Sequence, residues 1–101
     1  MSLPVVFRGL ADHEIHEIQS WYESRQAGLG GRFRASLDLV VNLIGQHPLA
    51  CAIAHRGVRR ALLPGFPYAL FYEALSDRVR VLACLHQRRG PGFIRKRLLR
   101  P

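Results

Sequence analysis

Residues 57–86 read GVRRALLPGFPYALFYEALSDRVRVLACLH, and the period of this stretch decides the fold. After Gly57, Val58, Arg60 and Leu62 share one face of a strand that ends at Pro64-Gly65. The next strand, residues 68–74, sets Tyr68, Leu70 and Tyr72 on one side and Ala69, Phe71 and Glu73 on the other. Ser76-Asp77 makes a turn, after which Val79, Val81, Ala83 and Leu85 oppose Arg80, Leu82, Cys84 and His86. Three strands in succession, joined by short turns, predict an antiparallel meander.

Upstream the period changes to that of a helix. Ala11, Ile15, Ile18 and Tyr22 recur at helical spacing with Trp21 beside them, predicting a helix from Ala11 to about Gln26. Gly28-Leu29-Gly30-Gly31 breaks it, and Phe33, Leu37, Val40, Val41 and Ile44 resume the same period until His47-Pro48 stops it. The two helices form a hairpin. Residues 3–7 read as a first strand, residues 49–55 as a loop or extended segment, and the tail from Pro91 as either a short docked helix or a frayed basic arm. The order β-α-α-β-β-β predicts an α+β domain whose helical hairpin packs on one face of a small antiparallel sheet. The other face is left for solvent or a partner. Tyr68 and Tyr72 either point to that open face, where with the nearby arginines they would suit RNA, DNA or a peptide, or pack in the core with only their hydroxyls exposed.

The chain has 101 residues, 49% hydrophobic and 22% charged, which predicts one folded domain over residues 1–101 and excludes a two-domain enzyme. No apolar run approaches the roughly 20 residues of a membrane span, and the N-terminal stretch lacks a basic-then-apolar export signal, so a cytoplasmic location is expected. Cys51 and Cys84 read as small hydrophobes rather than a disulfide. Through residue 55 there are four arginines against five acids; afterwards there are eleven basic residues against two acids. All the excess of the +8 net charge therefore lies in the second half. That balance favours nucleic acid, an acidic protein or an anionic surface, and composition does not choose among them. Nearly every cation is Arg, whose planar guanidinium grips phosphate or carboxylate with two hydrogen bonds. His13-Glu14-Ile15-His16 has the wrong spacing for a zinc motif, and Gly28-Leu29-Gly30-Gly31 is too short for a nucleotide loop. No metal and no cofactor are expected.

Several segments together, in order and over nearly the whole chain, carry a family resemblance. They are Trp21-Tyr22-Glu23, Gly28-Leu29-Gly30 with Arg32-Phe33, Gly57-Val58-Arg59-Arg60, Phe66-Pro67-Tyr68 with Tyr72, and Val81-Leu82 with Leu85-His86 and Arg89. On these the chain resembles the RelE/ParE superfamily, the toxins of type II toxin-antitoxin (plasmid stabilisation) modules. The resemblance implies a growth-inhibiting toxin held inactive by a cognate antitoxin, whose acidic segment folds on binding. An electropositive second half suits such a partner independently.

The resemblance implies one of two activities. RelE-like members are mRNA interferases that cleave mRNA on the ribosome, which requires groups to move protons and cations around the phosphorus. Arg60 and Arg88 match basic positions of that branch, and His86 is the one group at the end of the last strand with an ordinary pKa near neutrality. Leu62 and Ala69, however, fall where the branch has basic residues, so the nuclease set is depleted. ParE-like members inhibit DNA gyrase without chemistry of their own, and the Phe66-Pro67-Tyr68 strand followed by Leu85-His86 and Arg89 looks more like them. For that branch the expected target or nucleic-acid contacts are Arg59, Arg60, Tyr68, Tyr72, Arg88, Arg89, Arg95, Lys96 and Arg97. A basic nucleic-acid-binding module without toxicity is the third reading.

Overall fold

A computed structural model describes residues 2–99. Strand β1 (Val5–Phe7) leads directly into helix α1 (Gly9–Arg25), and α2 (Leu29–Gln46) returns alongside it. Four further strands follow: β2 (Ile53–His55), β3 (Val58–Leu62), β4 (Tyr68–Ala74) and β5 (Val79–His86), and helix α3 (Pro91–Leu98) closes the order. The strands form one sheet in the order β1-β5-β4-β3-β2. β2 to β5 are antiparallel neighbours, while β1 joins β5 in parallel, a pairing that the two-helix crossover permits. The sheet is therefore mixed and five-stranded. It contains the expected meander, extended by β1 on one side and by a three-residue edge strand, β2, on the other.

The hairpin turn is shorter than the glycine run suggests. Gly28 takes the left-handed conformation (φ 88°) that ends a helix without steric cost, and α2 starts at the next residue. The Glu23 carboxylate accepts hydrogen bonds from the Gly28 and Gly30 amides, both at 3.0 Å, and so caps α2 from the last turns of α1. Gly30 allows the helices to close: a Cβ there would stand 2.9 Å from the Gln19 carbonyl oxygen.

The hairpin covers one face of the sheet. Ala11 and Ile15 of α1 and Phe33, Leu37, Val40 and Ile44 of α2 bury against Ala61, Leu70, Tyr72, Val79, Val81 and Cys84. At the turn end of the hairpin, Tyr22 stacks on Phe33 (5.7 Å between centroids), and Phe66 meets both rings edge-on. The opposite face buries Val58, Ala69, Phe71, Leu82, Ala83 and Leu85, and α3 lies over part of it through Ile94 and Leu98. The tail is thus a docked helix. Strict alternation fails in β5, where a bulge opposite Phe71 and Tyr72 inserts an extra residue. Val79, Val81 and Cys84 consequently join the hairpin-side core, while Leu82, Ala83 and Leu85 join the other.

Beyond β1, the outer edge of β5 has no strand beside it, and side chains take over. Glu14 of α1 accepts from the Cys84 amide (3.0 Å), and Arg97 of α3 donates to the Leu82 carbonyl (3.0 Å). The two side chains also bind each other with two hydrogen bonds, at 2.7 and 2.8 Å. One ion pair thereby seals a strand edge and ties α1 to α3.

Candidate functional site

Period-2 geometry sends neighbouring arginines of β3 to opposite faces. Arg60 stands with Val58 on the face away from the hairpin, paired with Phe71 across β4. There, β2, β3, the end of β5 and the start of α3 enclose a cleft of about 470 Å³. Its cations are Arg60, Arg89 and Arg95, with His55 beside them and Phe71 and Ile94 at its floor. No carboxylate lines it.

The acids are committed elsewhere. Glu14 holds Arg97, Glu73 holds Arg80 at 2.7 Å, Asp77 holds Arg78, Asp38 pairs with Arg34, Glu17 faces His13, and Glu23 caps α2. Among the described residues, the side chains of Arg60 and Arg95 therefore make no ion pair or hydrogen bond, and the Arg89 guanidinium packs 4.5 Å from the Phe93 ring centroid. Three guanidinium groups in one cleft with no counter-charge repel each other in the free protein, a cost that an anionic ligand would relieve.

Other expected contact residues are placed differently. Tyr72 is fully buried on the hairpin side, where its hydroxyl donates to the Pro48 carbonyl at 2.8 Å, so it is a core residue and not part of an open aromatic surface. Burial raises its pKa well above that of an ordinary tyrosine. Tyr68 is half-buried on the same side, edge-on to Phe33 and to His86. Burial raises its pKa as well, with a further upward push from Cys84 and a downward pull from Arg89. Arg59 also turns inward and donates to the Leu49 and Cys51 carbonyls (3.3 and 2.6 Å), so it pins the segment before β2. Arg97 is the partner of Glu14, with only 10% of its side chain exposed, and is not a free cation of the tail. Arg88 and Lys96 are exposed but do not line the cleft.

The expected nuclease trio is not assembled. His86 lies on the hairpin side of the sheet, its ring 5.2 Å from that of Tyr68 and its Nδ1 accepting from the Arg88 amide at 3.1 Å. Arg60 lies on the other side. Ala69, at a position where a nuclease would carry a cation, is fully buried, and Leu62 is a half-exposed apolar residue. Residues 49–55, expected as a loop or extended segment, contain strand β2, whose Ile53 and His55 wall the cleft. The signal was the Arg56-Gly57 pair: both residues have positive φ (30° and 76°), as a two-residue hairpin turn requires.

The fold has solved relatives. One match is to the structure described as "Chromosomal ParDE TA system from P. aeruginosa", with a TM-score of 0.68, 16% identity, and coverage of 84% of this chain and 96% of that one. A first strand, a helical hairpin on one face of a mixed sheet and a short closing helix make up the ParE-like α+β fold of the RelE/ParE class of toxins. Within that class, the family model described as "ParE toxin of type II toxin-antitoxin system, parDE" matches residues 5–91, and the chain belongs to this family. No curated protein sequence matches it significantly.

Proposed function

We propose that this toxin inhibits DNA gyrase as a binding protein, without chemistry of its own, and is neutralised by a cognate antitoxin. The observation that carries the reading is the separation of the expected acid–base groups: His86 and Arg60 stand on opposite faces of the sheet. A general base must come within hydrogen-bond reach of the proton it takes while cations hold the same phosphate, and two faces of one sheet do not offer that arrangement. A carboxylate-free cleft suits stable occupancy by an anionic target, and the family membership supports gyrase as that target. The net charge of +8 suits an antitoxin whose acidic segment orders on the toxin surface. The site of action is the cytoplasm in this reading, and no helix among the described residues is long and apolar enough to cross a membrane.

The test uses purified protein in two reactions. It is expected to halt supercoiling by gyrase and to leave ribosome-bound mRNA intact. Codon-positioned cuts in translated mRNA, with supercoiling unaffected, would overturn the proposal. In cells, expression of the chain alone is expected to stop growth, and co-expression of the antitoxin encoded beside it to restore growth.

A further inference from the structure

We infer that the cleft between β2, β3 and α3 is a seat for the phosphodiester backbone of duplex DNA, so that the toxin grips the DNA of a gyrase–DNA complex. The inference rests on the proposed gyrase reading and deepens it. Three observations favour this occupant.

The first is charge. Arg60, Arg89 and Arg95 line a cleft without a carboxylate, and the side chains of Arg60 and Arg95 make no hydrogen bond or ion pair among the described residues. Guanidinium forks match the paired oxygens of a phosphodiester. The second is the scarcity of aromatic stacking surface in the cleft. Proteins that hold single strands present aromatic faces to successive bases. Here Phe71, which lines the cleft, is 1% exposed, Tyr68 and Tyr72 face the hairpin, and the part-exposed ring that lines the cleft is the His55 imidazole. The cleft thus offers a single imidazole to an unstacked base and three guanidinium groups to a backbone. The third is size. A volume of about 470 Å³ accepts a short run of sugar-phosphate from one strand but not a whole double helix. The cleft would then straddle one backbone of a duplex whose bulk stays outside.

The experiment is fluorescence anisotropy with a short labelled DNA duplex, titrated at several salt concentrations. Three proteins are compared: the full chain, R60Q/R95Q, and the charge-matched control R25Q/R34Q, whose changed residues lie on the hairpin. Each neutralised phosphate contributes about −0.9 to the slope of log affinity against log salt. R60Q/R95Q is therefore expected to bind more weakly with a slope shallower by about 1.8, while the control keeps the slope of the full chain. An unchanged slope in R60Q/R95Q, with circular dichroism confirming its fold, would overturn the inference. So would tighter binding of single-stranded RNA, or of polyglutamate at matched charge, than of the duplex; the second outcome assigns the cleft to an acidic protein segment. Running gyrase beside these titrations separates the two claims. Loss of the slope shift with gyrase still inhibited removes only the DNA seat. A retained shift with gyrase unaffected removes only the gyrase target.

Discussion

On the hairpin side of the sheet, Tyr22, Phe33, Phe66 and Tyr68 interlock, Arg59 ends on backbone carbonyls, and Glu14 takes up Arg97 where it reaches round the β5 edge from α3. On the other side, α3 covers only part of the sheet, and Arg60 and Arg95 stand in a cleft that no acid lines. The same strands supply both faces, so the contrast comes from where the acids are spent. Six of the seven are bonded to other groups, and none lines the cleft. The hairpin face is built for stability, and the cleft face gives up some stability to keep its charge available. Concentrated, unpaired like charge on a structured surface is a physical reason to look there for a partner.

Mutations that separate the faces give effects of very different size. Phe33→Ala, which removes a fully buried ring from the hairpin face, is expected to cost about 3–5 kcal/mol in a urea melt. Arg60→Gln on the other face is expected to change stability by less than about 0.5 kcal/mol, or to raise it slightly by relieving repulsion. A comparable loss at both positions would erase the distinction.

The link between the faces comes next. Glu14→Gln leaves Arg97 half-paired against the β5 edge and is expected to cost about 2–3 kcal/mol. The double variant with Arg97→Met should be less damaging than the sum of its two single changes, measured as a double-mutant cycle in urea. Strict additivity would show that the pair is not what ties α1 to α3.

The smallest effect is a pH dependence confined to the hairpin side. Burial, followed by the nearby Glu14 carboxylate, pushes the Cys84 thiol up to about 12 from an ordinary 9.0. A raised folded pKa means that the folded state holds the proton more tightly. Its stabilising contribution is complete below about pH 9 and is lost as pH rises towards 12. Thermal midpoints should therefore fall above about pH 9, and Cys84→Ala should make that fall shallower, although burial of Tyr72 contributes in the same sense.

The bounds of β3 and β4 were legible because turn residues bracket a clear period of two, and the same period places Arg60 opposite Arg59. The face assignment in β5 was not. Val79, Val81, Leu82, Ala83, Cys84 and Leu85 are all apolar and all buried, so the sequence carries no polar residue to mark where the bulge shifts the alternation. The start of α2 was obscured because Gly30 and Gly31 read as a break, whereas Glu23 supplies the cap and the close approach of α1 demands glycine at position 30. Strand β2 has three residues and exists only by pairing with β3. Within the site, the concentration of cations in the second half was plain, but its division between free and structural groups was not. Arg97 finds Glu14 83 positions away, and no local pattern signals such a partner.

The central claim is that the toxin acts by binding through the cleft face and performs no proton transfer with His86. Its most direct test is the concentration of protein that half-inhibits supercoiling by purified gyrase, compared among the full chain, H86Q and R60Q/R95Q. H86Q is expected to match the full chain, and R60Q/R95Q to need about tenfold more protein or beyond. Loss of inhibition in H86Q, with R60Q/R95Q as potent as the full chain, would contradict it.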